Sequence, residues 1–90
     1  MPVGLVVRYP GVTPEEWERV IADTELPDGC VSHGFGDNGG NVLTFETWNS
    51  RADFDRYQAE EFRWTFRLAL RRDPPIPQVT HVDLAALRTR

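Results

Sequence analysis

Apolar residues fill the start of the chain without alternation, which predicts a strand over residues 3–9. A strand with one solvated face alternates apolar and polar residues, so we expect both faces of this strand to be covered. Thr13, followed three residues later by Glu16, forms a capping-box pattern and predicts a helix over about 14–24. The expected core stripe of that helix consists of Trp17, Val20 and Ile21.

The middle of the chain predicts a β-hairpin. Residues 30–36 indicate one strand and residues 41–48 its partner, while residues 37–40 supply Asp, Asn and two glycines that tolerate positive φ. On the first of these strands, one face should carry Val31, His33 and Phe35.

The last third of the chain predicts a long helix and a final strand. Ser50 and Asp53 make a second capping pattern, and residues 51–72 contain neither Gly nor Pro, so one continuous helix is expected there. Residues 78–86 have the character of a strand. The connector before it is held extended by Pro74, Pro75 and Pro77.

This order of elements predicts an α+β fold of the ferredoxin-like βαββαβ type. Right-handed crossovers put the first and third strands in the middle of a four-stranded antiparallel sheet and both helices on one face. Because the first strand is apolar on both sides, the other sheet face also needs a cover. We expect a second copy of the sheet to supply it, so that a homodimer forms an α/β barrel.

Length and charge limit the function. With 90 residues and 10.3 kDa, the chain is expected to form one domain over 1–90. A net charge of -4 counts against nucleic acid and anionic membranes as partners. No apolar run is long enough to span a membrane, and no signal-peptide pattern is present, so we expect a cytoplasmic protein.

Absent residue types narrow the chemistry further. All ten basic residues are arginines, which excludes a lysine Schiff base. A single cysteine cannot build a Cys-based zinc cage, and two histidines on distant strands make a metal site improbable. No nucleotide-binding motif occurs, so no cofactor is predicted.

Three segments carry a resemblance to a known family. They are residues 27–33 (PDGCVSH), residues 45–50 (FETWNS), and Phe54 with Tyr57 on the long helix. In these the chain resembles the dimeric α/β barrel superfamily, which includes antibiotic-biosynthesis monooxygenases. The long helix lacks the histidine of the heme-degrading members, which counts against that branch.

The resemblance implies a function. Such proteins hold a small, mostly apolar ligand between the sheet and the helices, and some oxidise aromatic polyketides or quinols without metal or flavin. We therefore expect a cofactor-independent tailoring enzyme, an oxygenase or cyclase acting on an aromatic or polyketide-like intermediate. The alternative is a non-catalytic module that binds or senses a small molecule.

Candidate catalytic residues are those that can move or orient a proton. His33 lies among small residues and its imidazole titrates near pH 6.5, which suits a general base. The hydroxyl of Tyr57 can orient a carbonyl or phenol. His81 lies two residues before Asp83 on a strand, so the two share a face; the pair fits either a site shared across the dimer interface or a polar network.

The candidate substrate-binding residues are mostly aromatic side chains. Ten aromatic residues in a chain of 90 favour an aromatic-lined pocket, although core packing explains many of them. One arginine of the long helix can reach the pocket mouth and hold an anionic oxygen, although a solvated face explains the row equally well. The predicted binding residues are Trp48, Phe54, Phe62, Trp64 and Arg67.

Overall fold

A computed structural model of the chain describes residues 2–88. It contains a four-stranded antiparallel sheet in the order β2-β3-β1-β4, which confirms the predicted ferredoxin-like topology with the first and third strands in the centre. The elements are β1 (Val3–Tyr9), α1 (Pro14–Ile21), β2 (Cys30–Asn38), β3 (Asn41–Trp48), α2 (Arg51–Ala59), α3 (Glu61–Leu70) and β4 (Gln78–Asp83).

The starts of α1 and α2 follow the predicted capping patterns. Thr13 Oγ1 accepts a hydrogen bond from the Glu16 backbone N–H, and the Glu16 side chain accepts one from the Thr13 backbone N–H. Ser50 Oγ accepts from the Asp53 N–H at the start of α2. Glu16 also accepts a hydrogen bond from Arg72, which ties the end of α3 to the start of α1.

The prediction of one continuous helix over 51–72 is wrong, because the helix breaks at Glu60. Phe54 and Phe66 lie twelve residues apart, and an unbroken helix would set them about 120° apart around its axis. The break turns α3 relative to α2, so that Phe54, Phe62 and Phe66 are all buried in one core.

Three smaller predictions also need correction. The first helix ends at Ile21 instead of residue 24, and the last strand ends at Asp83 instead of residue 86. A bulge between Cys30 and Ser32 leaves Val31 exposed, so Val31 does not share a face with His33 and Phe35. The predicted turn is confirmed, with Gly39 and Gly40 both at positive φ.

The two faces of the sheet differ in burial. Towards the helices, β1 buries Val3, Leu5, Val7 and Tyr9, and the same layer continues through alternate residues of β3. The opposite face carries Val6, Phe45 and Val82, and Phe45 is 57% exposed there. Within one chain, therefore, β1 is covered on its helix side only.

Candidate functional site

A cavity of about 160 Å³ lies between α1, the loop that follows it, and the helix-facing side of β2 and β3. Four aromatic side chains contribute to its walls, namely Tyr9, Trp17, Trp48 and Tyr57. Polar groups enter this apolar space from only a few positions, as is usual for a small-molecule site.

Glu46 is the most buried charged residue of the cavity wall, with 6% of its surface exposed. It occupies a helix-facing position of β3 because residues 42, 44, 46 and 48 alternate onto that face. Its Oε2 accepts a hydrogen bond from Thr44 Oγ1 at 2.7 Å, and its Oε1 accepts one from Trp48 Nε1 at 2.8 Å. The two donors fix the orientation of the carboxylate.

His33 lies on the neighbouring strand, directly opposite Glu46 in the β2–β3 register. The indole Nε1 of Trp17 donates a hydrogen bond to His33 Nε2 at 3.3 Å, which assigns the ring proton to Nδ1. Burial lowers the pKa of His33 below 6.5, although the negative charge of Glu46 acts in the opposite direction. At neutral pH the imidazole is therefore uncharged and available as a base.

The two tyrosine hydroxyls and the cysteine thiol of the cavity stay protonated at neutral pH. Burial, with a smaller effect of the Glu46 charge, raises the pKa of Tyr9 well above its usual value. Burial also raises the pKa of Tyr57, with help from the negative charges of Glu61 and Glu46. Burial also raises the pKa of the Cys30 thiol to about 11, so this thiol is a poor nucleophile.

Five of the predicted site residues lie in or directly behind this cavity. His33, Tyr57 and Trp48 line it. Phe54 packs edge-on against Trp48 with ring centroids 5.5 Å apart, and Phe62 lies 5.8 Å from Tyr57. Both phenylalanines are fully buried and support the walls from behind.

The remaining three predicted residues are elsewhere. Trp64 lies on the outer side of α3 and is 65% exposed, while Arg67 pairs with Asp73 on the surface. His81 is on β4, at the sheet edge opposite β2, where it contacts Asp83 and Arg51. The structure brings none of these three side chains to the cavity.

Within residues 2–88, no three metal-ligating side chains converge.

Among the lining residues that the sequence analysis did not predict as site residues are Tyr9, Trp17, Glu25 and Glu46. Tyr9 and Trp17 were predicted only as parts of a strand and a core stripe. For Glu46 the sequence signal is misleading, because Thr44 and Glu46 alternate with Leu43 and Phe45, a pattern that normally places the polar residues towards solvent. No helix between residues 2 and 88 has the length and apolar character that a membrane crossing requires.

Solved structures share this fold over nearly their whole length. Rv0793 from Mycobacterium tuberculosis is 20% identical, has a TM-score of 0.64, and aligns over 99% of this chain and 100% of that chain. SnoaB, a cofactor-independent oxygenase from Streptomyces nogalater, is 20% identical, has a TM-score of 0.63, and aligns over 96% and 95%. A protein described as an antibiotic biosynthesis monooxygenase is 18% identical, with a TM-score of 0.60 over 96% and 100%.

These structures confirm, at the level of the fold, the resemblance found in the sequence. The chain shares its fold with these solved structures, which include a cofactor-independent oxygenase and a protein described as an antibiotic biosynthesis monooxygenase. Neither a protein-family model nor a curated protein matches the sequence.

Proposed function

We propose that this chain is a cofactor-independent tailoring enzyme that deprotonates a small aromatic or polyketide-like substrate bound between sheet and helices. The observation that carries the proposal is the position of His33 directly opposite Glu46 on the neighbouring strand, where both residues line one cavity. A neutral imidazole can accept a proton, and a nearby carboxylate stabilises the imidazolium that results.

The proposed step starts when a substrate hydroxyl or acidic C–H replaces the Trp17 N–H at His33 Nε2. This hydrogen bond is 3.3 Å long, and because Trp17 is buried its N–H then needs a new acceptor, which an oxygen of the substrate can supply. The proton moves to Nε2 and its electron pair stays on the substrate as a phenolate or carbanion. The hydroxyl of Tyr57, which stays protonated, can donate a hydrogen bond to the developing oxyanion.

Dioxygen then serves as the oxidant in the oxygenase form of the reaction. Overall, an activated methylene and O2 give a ketone and one water, so two C–H bonds are lost and four electrons pass to oxygen. In the cyclase form, the same carbanion attacks a carbonyl of its own chain and no oxidant is consumed. Both forms need the same base.

The size of the cavity limits the substrate. An apolar cavity of ~150 Å³ accommodates benzene, and this cavity of about 160 Å³ is of similar size. We therefore propose a substrate with one ring inside the cavity and any further atoms outside it.

Oxygen consumption tests the enzyme proposal. The purified protein is incubated with hydroquinone and anthrone-type compounds in air, and O2 uptake and ketone formation are followed. His33→Ala should lower the rate by about 100-fold or more, the usual contribution of a general base. The control is His81→Ala, which removes the second histidine of the chain; because His81 lies outside the cavity, the rate should be unchanged. Equal rates for His33→Ala and the unsubstituted chain would refute the proposal.

A second candidate function is binding without catalysis. The lone pair of His33 that would act as base already accepts the hydrogen bond of Trp17, as expected in a static binding site. Native mass spectrometry of the protein mixed with a metabolite extract separates the two candidates. A bound compound that is recovered unchanged in air favours binding, and conversion of that compound favours the enzyme.

We also propose that two copies associate through the open sheet faces to form a homodimer. The support is the apolar character of that face around Phe45, together with the fold. Phe45→Glu should shift the sedimentation coefficient from dimer to monomer at micromolar concentration. Trp64→Glu, on an equally exposed ring of the helical side, should leave the dimer intact; a monomeric parent protein would refute the proposal.

A further inference from the structure

The charged side chains that line the cavity are acidic. Among residues 2–88, the acidic residues of the lining are Glu46 and Glu25, and no arginine lines the cavity. The chain also has no lysine. Within this described part of the chain, therefore, no basic side chain of the cavity wall is placed to hold a carboxylate, sulfate or phosphate group of a ligand.

Glu46 itself has no cationic partner. Its two hydrogen-bond donors, Thr44 and Trp48, are neutral groups, and no ion pair of the described chain includes it. His33 opposite accepts a hydrogen bond at Nε2 and is uncharged at neutral pH. Buried carboxylates in folded proteins are normally paired with a positive charge, because removing a lone charge from water is costly.

The walls next to this carboxylate suit a positively charged ligand. Tyr9 and Trp17 lie with ring centroids 4.5 Å apart, and Trp48 and Tyr57 lie 5.7 Å apart. All four rings line the same cavity as Glu46. Aromatic rings beside a carboxylate are the usual composition of sites that bind ammonium groups, because the ring faces are electron-rich.

We infer that the ligand of this cavity carries a protonated amine, which pairs with Glu46 while its aromatic ring packs among the four aromatic side chains. The inference rests on the proposed function for the identity of the site and adds the charge class of the substrate. Glu25, which also lines the cavity, adds a second negative charge that attracts such a cation.

Binding of three phenols that differ in one substituent tests the inference. Tyramine carries an ammonium group, tyrosol a hydroxyl and 4-hydroxyphenylacetate a carboxylate. Isothermal titration calorimetry at pH 7 and low salt should give tyramine about 10- to 100-fold higher affinity than tyrosol, the range expected for a hydrogen bond to a charged group. The carboxylate should bind more weakly than tyrosol.

Glu46→Gln provides the decisive comparison. The glutamine can still accept from Trp48, and its amide can donate to Thr44, whose hydroxyl also lies near the Val7 carbonyl, so the variant should fold. It should bind tyramine and tyrosol within about threefold of each other. Glu25→Gln is the matched control, and it should keep most of the preference.

The outcomes separate this inference from the proposed enzyme. If the parent protein binds the three phenols equally, or if Glu46→Gln keeps the preference for tyramine, the inference is wrong, even if turnover depends on His33. If tyramine is preferred through Glu46 but no phenol is converted in air, the inference stands and the proposed enzyme does not. Calorimetry under nitrogen keeps the binding measurement free of oxidation.

Discussion

Replacing Thr44 by valine tests how the buried carboxylate is held. Thr44 is completely buried, and its hydroxyl donates to Glu46 Oε2 at 2.7 Å. Its distance to the Val7 carbonyl is 3.4 Å, so the single hydroxyl proton serves mainly the carboxylate. Valine fills nearly the same volume and leaves no cavity, which isolates the loss of the hydrogen bond.

The expected cost follows from the charge of the acceptor. A hydrogen bond to a charged group contributes about 1.5–3 kcal/mol, and here its loss leaves a buried carboxylate oxygen without its donor. We therefore expect Thr44→Val to lower the free energy of unfolding by about 2 kcal/mol. In a Glu46→Leu background the acceptor is gone, and the same change should cost less than about 0.5 kcal/mol.

Urea unfolding followed by circular dichroism measures all four corners of this double-mutant cycle. Protein concentration must be identical throughout, because stability depends on concentration if the chain dimerises. The loss of the Trp48 acceptor occurs in both Glu46→Leu proteins and therefore cancels. A coupling free energy below about 0.5 kcal/mol would refute the view that Thr44 stabilises the carboxylate.

Three other predictions test separate parts of the molecule. Two hydrogen bonds, the larger effect from Arg72 and the smaller from the Thr13 backbone, lower the pKa of Glu16 to about 2. The ionised Glu16 therefore stabilises the fold above pH 4.5, and this stabilisation is lost as the pH falls towards 2. Glu16→Gln keeps the capping box but should flatten the acid side of the stability profile, by no more than about 1 kcal/mol at neutral pH. Gly29→Ala should lower the free energy of unfolding, measured in urea, by at least about 1 kcal/mol more than Gly11→Ala does. Both glycines have positive φ, but only at Gly29 would an added Cβ collide with a neighbour, because it would lie 2.6 Å from Asp53 Oδ2 in the first turn of α2. If His33 is the base, the rate should rise with pH through a value below 6.5 and stay constant above it, and a falling rate would contradict this role.

Local patterns sufficed for most of the secondary structure. The capping residues Thr13 and Ser50 and the Gly39-Gly40 turn act on their immediate neighbours, so their consequences can be derived from adjacent residues. The order of elements then limited the topology, because crossovers between parallel strands have one favoured hand.

The break at Glu60 could not be derived in this way. Residues 51–72 have good helix propensity throughout, and propensity alone predicts one helix. The break allows Phe54 and Phe66 to face the same sheet, which an unbroken helix would not permit, and that sheet is formed by residues elsewhere in the sequence. In the resulting orientation of α3, Trp64 faces outwards, although a tryptophan is equally suitable as a pocket residue.

What the sequence by itself determined is therefore the set of elements, their order and the residue types available for chemistry, including His33. Only the tertiary structure decided which of these side chains meet. The Trp17–His33 hydrogen bond depends on how α1 packs on the sheet, and the position of His33 opposite Glu46 depends on the register of the β2–β3 hairpin. Periodicity along the chain specifies which face a side chain takes, whereas its neighbours on that face are set by packing between elements.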